Sequence, residues 1–283
     1  MSVKPAPEVR AADLLGDSPE AALALFDQSG AVVVRGLIAP EWIDSLRRCY
    51  DEMAEAAFDP SATGVTAKQD RLLTTCFGMW RDQARFHDFL FNSPISRAAA
   101  RVMRSSTAQL YEDLLITEPA GGKPHSTWHQ DEGTWPVEGA MLASVWFSLE
   151  PVTAETGAMR FVEGSHKGPI FQPPHVDPAA VGDDVLRWTG GDFPKVDERA
   201  DLVRLQTECQ PGDAVVFHPR TIHCAYGSDP DHARRTFTIR FMGDDVRWLP
   251  RNRMFHPWMR ELTLKKGDPI TAEGFPVVYR AAA

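Results

Sequence analysis

The sequence predicts a mainly β sandwich or barrel with helices packed against it, and three observations support this. Helical spacing of apolar residues is concentrated in the first 104 residues, whereas short apolar runs between Gly, Pro and Asp turns follow Thr107. No internal repeat or low-complexity linker divides the 283 residues. Helices first and strands later, in one chain with many turns, favour a sandwich or barrel buttressed by N-terminal helices.

The N-terminal part carries the helical signals. Residues 1–20 are polar and rich in Pro and Ala, so we expect a loosely held terminus. A short helix is predicted at Ala21–Phe26, and the β-branched run Ala31–Val34 after Gly30 predicts a strand. Apolar residues three or four apart predict an amphipathic helix over Pro40–Ala57, and residues 84–104 are also mainly helical.

The remaining chain predicts strands. Each candidate is an apolar run bounded by turn residues, as in Glu163-Gly-Ser and Pro211-Gly-Asp. The candidates are Gln109–Thr117, Leu142–Leu149, Met159–Val162, Leu202–Cys209, Ala214–His218 and Thr236–Met242. Residues 172–200 are rich in Pro, Asp and Gly without periodicity, which is typical either of a lid over a site or of an ordinary surface excursion. The sequence therefore predicts one domain over residues 1–283 with this segment inserted.

Composition excludes several functional classes. Thirty Lys and Arg against 39 Asp and Glu give a net charge of −9, which argues against nucleic acid or an anionic membrane as partner. No apolar run approaches the roughly 18 residues that cross a bilayer. Four scattered cysteines without a CxxC pair are expected to be reduced, so we expect a cytoplasmic protein.

The segment Thr127-Trp-His-Gln-Asp-Glu132 carries the first chemical signal. His129 and Asp131 are two residues apart, so on an extended strand both side chains point to one face. An imidazole and a carboxylate on one face can supply two ligands of a divalent metal. The alternative is a hydrogen-bonded His–Asp pair with no metal.

Two later segments can complete such a site. Histidines stand at 218 and 223 after the Pro-Gly-Asp turn, and either could add a second imidazole. Two histidines and one carboxylate form the facial triad of non-haem Fe(II) oxygenases. The strand Arg234-Arg-Thr-Phe-Thr-Ile-Arg240 mixes apolar residues with arginines, which bind carboxylates bidentately; a structural salt bridge is the alternative.

Together these segments resemble the phytanoyl-CoA dioxygenase family of Fe(II)/2-oxoglutarate oxygenases. The resemblance runs over most of the chain and rests on GAVVVRGLI, WHQDEGTWP, VWFSLEPVTAETGAMRFVEGSHKG, PGDAVVFHPRTIHCAYGSDP and RRTFTIRF. It implies a double-stranded β-helix (a cupin-like jelly roll) with N-terminal helices packed on one sheet. It also implies Fe(II), 2-oxoglutarate as cosubstrate and O2.

The resemblance assigns roles by position. His129, Asp131 and His223 match the iron ligands, and Arg234, 11 residues after His223, matches the arginine that binds the far carboxylate of 2-oxoglutarate. Arg235 is the competitor, because adjacent strand residues face opposite sides.

Two further cosubstrate contacts are expected from the resemblance. Thr117 stands where related sequences often carry a lysine, and it could only hydrogen-bond. Trp146 matches a tryptophan near the cosubstrate, although a buried strand tryptophan is also ordinary core.

The implied reaction oxidises a small organic molecule, by default through hydroxylation, and releases succinate and CO2. Desaturation, epoxidation and ring closure remain open, as do the substrate and the oligomeric state. Candidate substrate contacts are Phe77, Arg81, Trp135 and Arg160. The alternatives are a cupin-like metal enzyme without 2-oxoglutarate and a non-catalytic small-molecule binding protein of the same fold.

Overall fold

The computed structural model describes residues 3–55, 66–69, 74–121, 126–174, 176–177, 179, 182, 187–225, 227, 231–251, 259, 261–271 and 274–282. The helices are α1 (Ala11–Leu15), α2 (Glu20–Ser29), α3 (Pro40–Glu55), α4 (Met79–Asp82), α5 (Ala84–Asn92) and α6 (Ile95–Met103). The strands are β1 (Val3–Pro5), β2 (Glu8–Arg10), β3 (Ala31–Arg35), β4 (Thr66–Gln69), β5 (Thr74–Phe77), β6 (Thr107–Glu118), β7 (Ser126–His129), β8 (Val137–Glu138), β9 (Leu142–Ser148), β10 (Met159–Val162), β11 (Arg204–Gln206), β12 (Ala214–Phe217), β13 (His223–Ala225), β14 (Arg234–Met242), β15 (Arg247–Trp248) and β16 (Val277–Arg280).

Two sheets contain most of the described strands, as the sequence predicts. The larger has the order β2-β3-β12-β9-β14-β6-β5-β4, with β16 also paired to β6, and the smaller has the order β1-β11-β10-β13-β7. The two sheets face each other, since the ring of Phe161 on β10 lies 5.2 Å from that of Phe217 on β12. A separate pair, β8 with β15, lies outside both sheets.

The outer face of the large sheet is apolar and is covered by helices. Phe86 and Phe89 of α5 are completely buried there. The ring of Phe86 lies 5.5 Å from that of Phe237 on β14, and the ring of Phe89 lies 5.5 Å from that of Phe147 on β9. Burial of such aromatic side chains contributes about 1.5–3 kcal/mol each and fixes which face of the sheet the helices cover. The predicted packing of N-terminal helices on one sheet is thus observed.

The inner face of the large sheet, which faces the small sheet, has apolar ends and a polar middle. One apolar cluster includes Trp146, Phe161 and Phe217. The other includes Tyr111 and Trp135. Between the two clusters lie the hydroxyl and guanidinium side chains of β14 that alternate with its outer-face phenylalanines, and they make this middle region the candidate site.

The N-terminus differs from the loosely held segment that its composition predicts. β1 pairs in parallel with β11, and β2 pairs in parallel with β3. Leu14 of α1 is completely buried and Val9 is 7% exposed. The expectation for residues 1–20 is therefore wrong over 3–15. Strands of three residues leave almost no periodic signal, and their partners are distant in sequence.

The segment 172–200, proposed from sequence as a lid or a surface excursion, lies partly outside the described residues. Its described parts contact the turn after β7 and the start of β8: Trp188 Nε1 donates to the Gly133 carbonyl at 3.2 Å, and Arg187 donates to the Val137 carbonyl at 2.7 Å. All four cysteines are buried and unpaired. Within the described ranges, no helix combines the length and the apolar character that crossing a bilayer requires.

Candidate metal centre

Two histidines face each other across neighbouring strands. His129 ends β7 and His223 begins β13, and the antiparallel register places the two residues directly opposite one another. Their ring centroids are 4.2 Å apart. Directly opposed residues of an antiparallel pair share a face, so both imidazoles point to the interior between the sheets.

Asp131 completes the cluster from the turn after β7. Its backbone N–H donates to the Pro219 carbonyl at 2.9 Å, which ties this turn to the loop that precedes β13. Its Oδ1 lies 3.6 Å from His129 Nε2 and 3.9 Å from His223 Nε2. One ligand atom from each of the three residues falls within 4.8 Å of the others. The structure thus brings together the three residues that the sequence suggests as metal ligands.

The protonation of the two imidazoles suits a metal. His129 Nδ1 lies 2.7 Å from the Thr127 carbonyl and His223 Nδ1 lies 2.8 Å from the Thr221 carbonyl. Since a carbonyl oxygen only accepts, Nδ1 donates in each ring, and Nε2 is the nitrogen that faces Asp131. Burial, followed by the neighbouring His129, lowers the pKa of His223 to about 4, so this imidazole is neutral at pH 7.

A buried arginine holds the other oxygen of Asp131. Arg240 Nη2 lies 3.2 Å from Asp131 Oδ2, and Arg240 Nη1 also forms an ion pair with Glu112. Burial disfavours the charged carboxylate of Asp131, but the positive charge beside it, chiefly that of Arg240, outweighs burial and holds its pKa well below the usual range. With Oδ2 held by Arg240, Oδ1 is the oxygen that faces both histidines, so the geometry favours a monodentate carboxylate ligand.

This donor set fits Fe(II). Two imidazoles and one carboxylate on one side of an ion form the facial arrangement of non-haem iron oxygenases, which leaves positions free for other ligands. Ser144 lies directly opposite Arg240 on β9. Ser144 Oγ and Arg240 Nε are buried and have no hydrogen-bond partner among the described residues, so both atoms are available to a polar ligand.

His218, the other histidine that the sequence leaves open, is outside the cluster. Its Nε2 lies 3.3 Å from the Ala140 carbonyl, and its Nδ1 accepts the Arg220 backbone N–H at 3.1 Å. A ring that accepts at Nδ1 and donates at Nε2 is satisfied by the backbone. The structure therefore brings His223, and not His218, to His129 and Asp131.

Arg234 lies on the same face of β14 as Arg240, because the two are six residues apart and the register is regular between them. Its guanidinium forms an ion pair with Glu118, directly opposite on β6, and donates to the Gly157 carbonyl. Gly157 has φ +101°, and a Cβ there would collide with the guanidinium. Arg235 faces the helices, where it forms an ion pair with Glu150 at 2.5 Å.

The two other expected cosubstrate contacts have different outcomes. Thr117 is paired with Arg235, on the outer face of the sheet, so it points away from the triad. The structure contradicts its expected role, because adjacent strand residues face apart and it is Glu118 that points inward. Trp146 is paired with Thr238 on the inner face and is 5% exposed, which leaves both core packing and a ligand contact open.

Of the four candidate substrate residues, two lie toward the site and two lie elsewhere. Phe77 is paired with Leu114 on the inner face, and the Trp135 ring lies 5.6 Å from the Arg240 guanidinium. Arg160 is paired with Cys224, which packs on the outer side of the small sheet, and its Nε donates to Gln206 at 2.6 Å.

Arg81 is exposed and its guanidinium lies 5.3 Å from the Trp80 ring, which packs against the helical core. The structure therefore brings Phe77 and Trp135 toward the site, and it places Arg160 and Arg81 elsewhere. Alternation along β10 explains the first correction, and the position of α4 in the helical layer explains the second.

Sequence reasoning left the role of Glu132 open between ordering its loop and touching substrate, and it missed Gln130; the structure shows that both brace the site. Glu132 is 1% exposed and receives two hydrogen bonds from Arg220, at 2.9 and 2.6 Å. Gln130 donates to the Pro169 and Arg220 carbonyls and accepts the Phe171 N–H. These contacts join the turn that carries Asp131 to the loop before His223. Their one signal in the sequence was proximity to the ligands, which does not distinguish a brace from a substrate contact.

Comparison with known proteins agrees with this geometry. A sequence model of the phytanoyl-CoA dioxygenase (PhyH) family matches residues 26–236. A probable phytanoyl-CoA dioxygenase of Caenorhabditis elegans is 27% identical over 150 residues, covering 50% of this chain and 45% of the worm protein. The chain thus spans less than half of that relative's length. The peroxisomal phytanoyl-CoA dioxygenase of Rattus norvegicus is 22% identical over 242 residues, covering 79% and 68% of the two chains.

Solved structures share the fold. The non-haem α-ketoglutarate-dependent carbocyclase SnoK from nogalamycin biosynthesis superposes with a TM-score of 0.72 at 19% identity, over 92% of this chain and 96% of that one. EctD from S. alaskensis, solved with 2-oxoglutarate and 5-hydroxyectoine, gives a TM-score of 0.62 at 16% identity, over 90% and 86% of the two chains. The predicted jelly roll is confirmed. Because the family match covers most of the chain and the triad fits iron, the chain belongs to the phytanoyl-CoA dioxygenase family and is an Fe(II)- and 2-oxoglutarate-dependent oxygenase.

Proposed function

We propose that His129, Asp131 and His223 bind Fe(II), that Arg234 binds the far carboxylate of 2-oxoglutarate, and that the chain hydroxylates a small organic molecule. The observation that carries the proposal is the cluster of three ligand atoms within 4.8 Å, beside a strand that turns Arg234 to the same interior. Bound iron supplies the activation of dioxygen that a C–H oxidation needs.

Contacts within the protein already orient the side chains that would hold the metal. The Thr127 and Thr221 carbonyls fix the tautomer and orientation of both imidazoles. Arg240 holds Asp131 ionised and directs one oxygen toward the histidines. The apolar clusters on either side of this region exclude water, which strengthens the charge interactions within the site.

The inner face of β5 and β6 suggests the chemical class of the substrate. Phe77, Leu114 and Ile116 present apolar side chains there, and Thr236 of β14 lies opposite Ile116 with a hydroxyl group. We infer a small, partly apolar compound whose polar groups are few. The chemistry of this wall favours neither nucleic acid nor a membrane surface.

The expected overall reaction balances as 2-oxoglutarate, O2 and a substrate C–H bond giving succinate, CO2 and a C–OH group. Solved neighbours are named a carbocyclase and an epimerase, so the same oxidation can also end in ring closure or inversion. Asp131 supplies the carboxylate ligand, which puts a negative charge where chloride would have to coordinate. We therefore expect oxygen insertion and no chlorination.

The test is turnover of the purified chain with Fe(II), 2-oxoglutarate and a panel of small molecules, in buffer containing chloride. Succinate is quantified, and products are analysed by mass spectrometry. Succinate formation above that of His223→Ala, with a product heavier by one oxygen, is the expected result. A chlorinated product, or succinate equal to that of His223→Ala with every compound, would contradict the proposal.

Arg234 also separates the proposal from the alternatives. A cupin-like isomerase or hydrolase without cosubstrate has no need for a guanidinium facing a diacid, and a non-catalytic binding protein has no need for an intact triad.

We further infer that residues 187–188 brace the turn that carries Asp131. We also infer that the chain works in the cytoplasm, where its four buried thiols remain reduced.

A further inference from the structure

We propose that Glu118 is a carboxylate of the protein itself that competes with 2-oxoglutarate for Arg234 and thereby limits the affinity for the cosubstrate. This inference rests on the proposed role of Arg234. It concerns a residue that neither the sequence patterns nor the metal geometry singles out.

Glu118 and Arg234 form a buried, directly opposed pair. They are register partners on β6 and β14, and their side chains are 11% and 7% exposed. Glu118 Oε2 accepts from Arg234 Nε and also lies within ion-pair distance of Nη2. These two nitrogens form one of the two guanidinium edges that a bidentate carboxylate can use.

The other edge of the guanidinium is also engaged. Arg234 Nη1 donates to the Gly157 carbonyl, and the bare Cα of Gly157 lies against the guanidinium. A second carboxylate must therefore either share the hydrogen-bonding groups of Arg234 with Glu118 or displace it. Either route places two carboxylates beside one cation in a poorly solvated interior, where like charges repel strongly.

No second cation relieves this repulsion among the residues that the structure describes. Arg240, the other arginine on the inner face of β14, already pairs with Asp131 and Glu112. Arg235 points to the helices. Burial, opposed by Arg234, raises the pKa of Glu118, which agrees with a carboxylate that is poorly compensated even before a second anion arrives.

The competition has a measurable consequence. Glu118→Gln keeps the size of the side chain and an acceptor oxygen for Arg234, but it removes the negative charge. We expect 2-oxoglutarate to bind about tenfold or more tightly to this variant, because one guanidinium then serves one carboxylate. A keto acid without the far carboxylate, 2-oxopentanoate, should bind both proteins with similar affinity.

The experiment is calorimetric titration of both keto acids into the Mn(II)-loaded full chain, so that no turnover is required. Glu150→Gln is the matched control, since Glu150 pairs with the neighbouring Arg235 on the other face of the sheet. It should leave the dissociation constant of 2-oxoglutarate unchanged. The Mn(II) affinity and the melting curve of each variant establish that the site and the fold are intact.

The outcomes are distinguishable. Weaker or equal binding of 2-oxoglutarate by Glu118→Gln would overturn the inference and make Glu118 a positioning residue or a structural partner of Arg234. If Arg234→Ala leaves 2-oxoglutarate affinity unchanged, the proposed role of Arg234 itself fails. Should Glu118→Gln not fold, Glu118→Ala provides the same comparison, with the same gain in 2-oxoglutarate affinity expected and its absence decisive.

Discussion

Along β14, the side chains of Phe237, Ile239 and Phe241 pack under the helices, whereas those of Arg234 and Arg240 lie on the opposite, inner face, where Arg240 contacts Asp131. The outer face gains stability mainly from apolar burial, with Arg235 and Glu150 as a partly exposed ion pair at its edge. The inner face holds two buried cations, each paired with carboxylates. One strand of nine residues therefore contributes to both the core and the site.

The two faces differ in how much their side chains contribute to the free energy of unfolding. A buried ion pair gains little net free energy compared with apolar residues of the same size, because both charges lose their hydration. The inner face nevertheless carries three such pairs, made by Arg234 and Arg240, whereas the residues between them on the outer face include phenylalanine and isoleucine. We therefore explain the two arginines by what they bind: Arg240 holds Asp131, and Arg234 is the proposed partner of the far carboxylate of 2-oxoglutarate.

The largest expected effect tests the metal ligands on the inner side. His129→Ala or His223→Ala should abolish binding of Fe(II), because each removes one of three ligand atoms. The helix-covered outer face should keep the fold intact. Metal content after reconstitution and circular dichroism measure the two properties separately. His218→Ala is the control, and loss of iron from this variant alone would reverse the ligand assignment.

The next prediction compares the two faces directly. Arg240→Gln leaves Asp131 and Glu112 without their shared cation, so we expect the metal-free chain to lose about 3–5 kcal/mol of unfolding free energy. A bound divalent ion restores a positive charge next to Asp131. The increase in melting temperature on adding Mn(II) should therefore be larger than in the wild type.

Phe237→Ala supplies the contrast for that measurement. Removing this buried outer-face ring should also lower the unfolding free energy by about 3–5 kcal/mol, because apolar contacts are lost and a cavity is left. Its response to Mn(II) should equal that of the wild type, since it lies on the side away from the ligands. A smaller Mn(II) response in Arg240→Gln than in Phe237→Ala would mean that Arg240 acts by orienting Asp131 rather than by balancing its charge.

A third prediction concerns the cosubstrate. Arg234→Ala should weaken 2-oxoglutarate binding by about 2–5 kcal/mol, the usual cost of removing one partner of a buried charge pair. Metal affinity should stay close to that of the wild type, because Arg240 and not Arg234 contacts a ligand residue. Titration of 2-oxoglutarate into the Mn(II) protein measures the effect, and a loss of Mn(II) affinity of similar size would contradict the separation of roles.

The sequence predicted much of this arrangement because several of its signals are local. The spacing of His129 and Asp131, the helical period of α3 and the alternation in β14 all concern residues close together in the chain. The strand pattern also predicted that Arg234 and Arg235 face opposite sides. Which of the two faces the site depends on the long-range pairing of β14 with β6 and β9, and the family resemblance supplied that answer.

The errors came from pairing over long distances. Thr117 was chosen because related sequences carry a lysine there, and Arg160 because a basic residue could line a pocket. Each lies one residue from the side chain that points inward, Glu118 and Phe161 respectively. In a strand a shift of one residue reverses the face. The short parallel strands β1 and β2 were missed because their partners, β11 and β3, cannot be found from local composition.

The smallest expected effect belongs to Arg235, the outward neighbour of Arg234. Its guanidinium pairs with Glu150 and lies 4.8 Å from the Tyr50 ring, and its side chain is 21% exposed. Arg235→Ala should therefore lower the unfolding free energy by about 1 kcal/mol, the range for an exposed cation–π contact and a partly solvated ion pair. The affinity for 2-oxoglutarate should change by less than about twofold, since sites without shared partners act additively. Denaturant unfolding and calorimetric titration measure both quantities on one preparation. A cosubstrate defect larger than that of Arg234→Ala would move the carboxylate-binding role to Arg235, and would mean that the register of β14 in solution is shifted by one residue.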